Sequence, residues 1–149
     1  MTVTVSYLVM YAPEQLRAKY PDDPRLQIQP VYPPRWQFNQ SMYRRIGADW
    51  YWQEKRDWDE SKWRAYVGAP GLHTFAASYA GEPAGYFELR HDPHGGIEIV
   101  YFGLLAAFIG GRWPRLLAAL GAVACSFANY EARGMRIYRT AIETLTGND

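Results

Sequence analysis

The chain has 149 residues, enough for one domain with a real core and short for two. Its 16 Lys and Arg nearly balance 15 Asp and Glu, for a net charge of +1, which excludes a general electrostatic footprint for nucleic acid or an anionic membrane surface. A single cysteine, Cys125, excludes an internal disulfide and any multi-cysteine metal site, and suits a reducing cytoplasm.

In chain order, Val3, Val5, Tyr7 and Val9 alternate with polar or small residues, predicting a half-buried first strand ended by Pro13. It has neither the basic start nor the continuous apolar run of a secretory signal. Pro21, Pro24, Pro30, Pro33 and Pro34 make the next stretch unsuitable for helix, although Leu26 to Val31 can run extended along a sheet edge. After Pro34, the residues Trp36, Phe38, Met42, Tyr43 and Ile46 recur at helical spacing, with Gly47 as the expected stop. A second helix is expected from about Asp59 to Val67, capped by Asp57 or Asp59 and closed by Gly68 and Pro70.

Three strands follow, Leu72 to Tyr79, Ala84 to Arg90 and Gly96 to Leu105, separated by Gly- and Pro-containing turns and read as an antiparallel meander. Leu116, Leu117, Leu120, Val123, Phe127 and Tyr130 then predict a helix within Pro114 to Arg133, and a last strand covers Met135 to Ile142. The apolar region from Gly103 to Ala128 holds Arg112, Pro114 and Arg115 near its middle, so it falls short of a membrane span.

The most informative signal is the passage from this meander into Gly110-Gly111-Arg112 ahead of an apolar helix. Glycines let the backbone approach a ligand closely, and the unsatisfied N–H groups of a helix start suit a phosphate, although a plain Gly-Gly turn is the commoner explanation of such a loop. Glu98 lies mid-strand, pointing opposite to Ile97 and Ile99, where a carboxylate can take a proton directly or through water; Glu88 is its rival. Five of six tryptophans fall between Trp36 and Trp63, a density that lines a pocket or packs two helices on a sheet. His73, His91 and His94 have no convincing metal spacing, and Cys125 sits among small apolar residues as a filler.

Trp50-Tyr51-Trp52, Trp58, Trp63-Arg64-Ala65-Tyr66, the run from Gly81 to Arg90, the segment Ile97 to Ile109, and Asn129 to Met135 together resemble a bacterial branch of the GNAT superfamily of N-acetyltransferases. The resemblance covers most of the chain beyond residue 35. It implies a single GNAT-like domain over residues 1–149, of mixed α/β (α+β) class: a mainly antiparallel twisted central sheet flanked by helices, with acetyl-CoA gripped where two central strands splay. Compared with the family's course, the chain is shortened between Gly111 and Asn129, consistent with one C-terminal strand fewer. By the resemblance, the backbone of Phe102, Gly103 and Leu104 pairs with the pantetheine arm, and Gly110, Gly111 and Arg112 face the pyrophosphate. The family usually carries Arg/Gln-x-x-Gly-x-Gly/Ala at this loop, whereas the chain has Ile109-Gly110-Gly111-Arg112-Trp113-Pro114, of which Gly110 matches.

The implied activity is acetyl-CoA-dependent acetyl transfer to a primary amine by direct attack, with Glu98 as base, Tyr130 as acid, and Trp50, Trp52, Tyr86 and Glu88 toward the acceptor. Acetyl-CoA is the co-substrate and no metal is expected. The expected partner is a small-molecule or peptide amine, with no nucleic acid and no membrane, in the cytoplasm; a homodimer is compatible with the reading. The alternative is a catalytically impaired or truncated GNAT-derived protein serving as a binding domain. A third class, an aromatic-rich ligand-binding module unrelated to acyl transfer, rests on the tryptophans alone.

Overall fold

The computed structural model describes residues 2–15, 17, 22–93, 95–109, 121, 124 and 137–146, with strands β1 and β6 given by their backbone. The elements are β1 (Thr2–Met10), β2 (Leu26–Pro30), α1 (Trp36–Trp50), α2 (Glu60–Val67), β3 (Leu72–Tyr79), β4 (Glu82–Asp92), β5 (Gly96–Leu104) and β6 (Ile137–Thr146). They form one six-stranded sheet in the order β1-β6-β5-β4-β3-β2. Every neighbouring pair is antiparallel except β5 and β6, which run parallel. The architecture is the mixed α+β one expected, with the meander β3-β4-β5 at its centre. The final strand is inserted between β5 and β1.

Local chemistry explains the element ends. Asp59 caps α2, its Oδ1 accepting from the Lys62 amide at 2.9 Å, which satisfies one of the free N–H groups of the first turn. The β3–β4 turn places Ala80 and Gly81 at positive φ (51° and 85°), a tight two-residue hairpin conformation. Pro30 is tolerated because β2 is the sheet edge, where a missing N–H breaks no central ladder.

Gly47 does not stop α1. The helix runs on to Trp50 and ends at Tyr51 in the left-handed region (φ 57°), while the Trp52 amide donates back to the Gly47 carbonyl. Gly47 serves packing instead: a Cβ there would lie 2.6 Å from Cβ of Trp52. Strand β4 also extends past its expected bounds, starting at Glu82 and ending at Asp92, whereas β3 keeps them and β5 ends at Leu104 rather than Leu105. The last strand is Ile137–Thr146 rather than Met135 to Ile142.

The sheet is covered on both faces. Helices α1 and α2 lie on one, where Met42, Tyr43, Ile46, Trp63, Val67, Tyr86, Tyr101 and Leu105 form a buried cluster. On the other, Phe75, Ala77, Phe87, Leu89, Ile97 and Leu104 pack together with Ala124. Residues 121 and 124 are helical, within the helix expected from Pro114 to Arg133; the rest of that helix, Cys125 included, lies outside the described residues. No described helix is long and apolar enough to cross a membrane.

Candidate functional site

Two irregularities in β5 shape the centre of the molecule. Along β4, Glu88 pairs with Tyr101 and Leu89 with Ile99, so Val100 has no counterpart and forms a bulge. On the other side, the parallel ladder with β6 runs from Gly96↔Ile137 to Ile99↔Thr140 and stops, although β5 continues to Leu104 and β6 to Thr146. Beyond Ile99 the pairing with β6 ends, and among the described residues no strand pairs with that edge of β5 from Val100 to Leu104. The bulge and the end of this pairing coincide, as expected when one extra residue bends and twists a strand away from its neighbour.

The bulge also reverses which side chains face the helices. Ile97 and Ile99 pack on the far face while Glu98 points to the helix face; after the bulge Tyr101 and Gly103 occupy the helix face. Gly103 is closely covered, because a Cβ on it would meet Cγ2 of Ile46 at 2.7 Å. Glycine at this point lets α1 sit directly on β5. Gly85 is needed likewise, since a Cβ there would be 2.3 Å from the carbonyl oxygen of Gly103.

Between helices and sheet lies a buried polar network. Glu88 is 1% exposed. Asn39 Nδ2 donates to Glu88 Oε1 at 2.7 Å and to Thr74 Oγ1 at 2.8 Å, and the Tyr66 hydroxyl donates to Glu88 Oε2. Burial pushes the Glu88 carboxyl above the usual carboxylate range, opposed by these two donors and by the positive charges of Lys55 and Arg90. Burial also raises the Tyr66 hydroxyl, helped by the carboxylate beside it, so it remains a donor.

Lys55, from the loop between the helices, turns inward. Its Nζ donates to the Tyr101 hydroxyl at 2.8 Å and lies 4.9, 4.7 and 4.6 Å from the ring centroids of Trp58, Tyr66 and Tyr101. Burial pulls its ammonium below the usual lysine range, against the attraction of Glu54 and Glu88. The Tyr101 hydroxyl in turn donates to Glu54 Oε2 at 2.6 Å. On the same face, Arg90 Nη2 donates to Glu98 Oε2 at 2.6 Å, with the Glu98 side chain 30% exposed.

The structure therefore brings together Glu88 and Glu98, the two rival carboxylates, on one face with Arg90 at the strand position between them. Trp52 joins this region half-buried, its ring 4.9 Å from that of Tyr101 and 5.4 Å from that of Tyr43. Tyr86 is buried with its hydroxyl unpartnered among the described residues. Trp50 ends α1 with an exposed side chain, away from this packing. Phe102 and Leu104 pack on the opposite face of β5, leaving their backbone at the open edge. Gly110, Gly111, Arg112 and Tyr130 lie outside the described residues. Among the described residues no group of His, Cys, Asp and Glu is placed to hold a metal.

Two hollows flank the site. One of about 470 Å³ is lined by residues that include Tyr43, Arg44, Gly47, Trp52, Arg56 and Asp57. The other, about 510 Å³, lies at the end of β5 beside Arg45, Pro83, Leu105 and Phe108.

Asn39, Glu54, Lys55, Tyr66 and Tyr101 were not singled out as site residues from sequence. Asn39 carried a usable signal, because it sits three and four residues before Met42 and Tyr43 on the apolar stripe of α1, where a polar residue demands a buried partner. Lys55 carried none, since Gln53-Glu54-Lys55-Arg56-Asp57 reads as a solvated charged loop.

No family model matches the chain, and no curated protein matches it in sequence. Solved structures do match in fold. An aminoglycoside acetyltransferase from an uncultured soil metagenomic sample superposes with a TM-score of 0.57 at 13% identity, over 79% of this chain and 78% of that one. A GCN5-related N-acetyltransferase from Kribbella flavida gives 0.56 at 15% identity, over 94% of this chain and 50% of that one. A tandem GNAT protein from the clavulanic acid biosynthesis pathway gives 0.55 at 14% identity, over 93% and 44%. The chain thus spans half or less of the length of the last two. With its bulged β5, its parting parallel strands and two helices over one face, the chain carries the fold of the GNAT N-acetyltransferases.

Proposed function

We propose that the chain is an acetyl-CoA-dependent N-acetyltransferase acting on a primary amine. The observation that carries the reading is the open edge of β5: the ladder with β6 ends at Ile99↔Thr140 while both strands continue. An extended, amide-bearing chain such as the pantetheine arm of CoA fits such an edge as an added strand would, by main-chain hydrogen bonds. Phe102, Gly103 and Leu104 are the residues that would hold it; N–H groups alternate along a strand and that of Leu105 donates to Ala84 beside β4, so those of Phe102 and Leu104 face the open edge as donors for the oxyanion that develops at the thioester carbonyl. Gly110, Gly111 and Arg112 would receive the phosphates, by the resemblance.

The acceptor side is the helix-covered face. An acceptor ammonium loses a proton, through water, to Glu98, which Arg90 holds in place and which is partly open to solvent. The freed amine attacks the thioester carbonyl; the C–N bond forms, the C–S bond breaks, and the departing thiolate takes a proton, for which Tyr130 is the proposed donor. Glu88 is sealed by Asn39 and Tyr66 and is assigned a positioning role, fixing α1 and α2 against β4 beneath the acceptor.

Calorimetric titration with acetyl-CoA tests the reading. One-site binding by folded protein is expected, and Glu98→Gln should leave that binding intact while lowering turnover of an accepted amine by about 10²-fold or more. Folded protein that binds no acetyl-CoA would overturn the assignment. Binding without turnover of any amine would favour the alternative of a GNAT-derived binding domain.

A further inference from the structure

The Lys55 ammonium is held in a way that does not suit a purely structural lysine. Lysine normally lays its stem on apolar surface and keeps its charge in water. Here the side chain is 10% exposed, although neighbouring Glu54 is 69% exposed. The ring centroids of Trp58 and Tyr66 stand 4.9 and 4.7 Å from Nζ, inside the ~6 Å range of cation–π attraction, while Tyr101 meets it through its hydroxyl. Yet of the three N–H donors of an ammonium, one is hydrogen-bonded among the described residues, to Tyr101, and the nearest carboxylate oxygen, on Glu54, stands at 3.9 Å. The surroundings form a good cation site, which the Lys55 ammonium holds through one protein hydrogen bond and an ion pair at 3.9 Å.

The backbone at Lys55 is secured independently of the side chain, because its amide donates to the Tyr43 hydroxyl at 3.0 Å. The flexible four-carbon stem can therefore withdraw while the loop stays in place. The Tyr43–Trp52 pair lines the 470 Å³ hollow, together with Arg44 and Arg56, and both rings pack on Tyr101, with centroids at 5.3 and 4.9 Å.

We infer that the Trp58–Tyr66–Tyr101 cage is an ammonium-binding subsite in which Lys55 is a resident competitor, and that its ligand is a di- or polyamine. One cationic end of such a ligand takes the place of the Lys55 ammonium. The other end extends toward Glu98; this second half rests on the acetyl-transfer reading above, whereas occupancy of the cage does not.

The test needs no acetyl-CoA, so its failure is distinct from failure of that reading. The indole N–H resonance of Trp58 is followed by NMR during titration with 1,4-diaminobutane, with 1-butanol as the neutral control. Wild type is expected to show a saturable, amine-specific shift, and Lys55→Met, which keeps the stem but removes the competing charge, to bind about tenfold more tightly. Equal affinity in wild type and Lys55→Met, or a shift reproduced by butanol, would overturn the inference.

Should Lys55→Met fail to fold, wild type suffices. Tetramethylammonium, a cation without N–H groups, should expel Lys55 and raise its rate of acylation by an N-hydroxysuccinimide ester, read by peptide mass spectrometry against exposed Lys62 as reference. A Lys55 rate indifferent to tetramethylammonium would overturn the competitor role.

Discussion

Glu88 is the residue on which both helices and the central strand depend, since its two oxygens are hydrogen-bonded by Asn39 on α1 and Tyr66 on α2. Glu88→Ala should cost about 2–3 kcal/mol in urea unfolding, because it strands two buried donors. Glu88→Gln keeps an acceptor for Asn39, and the Tyr66 hydroxyl can turn to accept from the new amide, so its cost should stay near 1 kcal/mol or below. The two proteins should also differ in pH dependence. A carboxyl raised by burial binds its proton more tightly folded than unfolded, so its contribution is fully present below the unfolded value near 4.5 and is lost as pH rises through the folded value. The stability of wild type relative to Glu88→Gln should therefore fall from pH 4.5 upward, and a flat difference would contradict the burial of an ionisable Glu88. Strand alternation puts Glu88 opposite to Phe87 and Leu89, which in an isolated sheet means solvent. Helix coverage of that second face makes it a buried site instead, and no residue near Glu88 in the chain announces this.

At the level of elements, the sequence located α2 and β3 nearly to the residue, because Asp59, Gly68 and the β3–β4 turn are chemical punctuation that acts locally. Asp59→Ala should cost about 1 kcal/mol, seen as a lower urea midpoint with unchanged slope. It misplaced the end of α1, because Gly47 satisfies a tertiary contact with Trp52 rather than a helix stop. Gly103 is a similar case on β5. Gly103→Ala should cost about 1–3 kcal/mol, since Ile46 is buried and cannot retreat freely from a methyl placed 2.7 Å from its Cγ2. In a double-mutant cycle with Ile46→Ala, which removes that methyl branch, the two losses should be clearly less than additive. Additive losses would mean that α1 does not rest on Gly103.

For the whole molecule, the decisive element is β6, which joins β5 to β1 and pairs with only part of β5. Ending the chain at residue 134 should expose the edges of β1 and β5, and size-exclusion chromatography should find aggregate or oligomer in place of the full chain's profile. A truncated protein eluting as a folded monomer would show that β6 is dispensable to the sheet. The sequence by itself determined the element types and the meander, because periodicity and turn residues are local properties, and its motifs carried the resemblance to GNAT enzymes. The tertiary structure decided which carboxylate is sealed and which is open, that Lys55 points inward to an aromatic cage, and that β5 carries a bulge at Val100 where it parts from β6. Those facts depend on strand register and on which face a helix covers, and register couples residues far apart in the chain, so no local pattern encodes it.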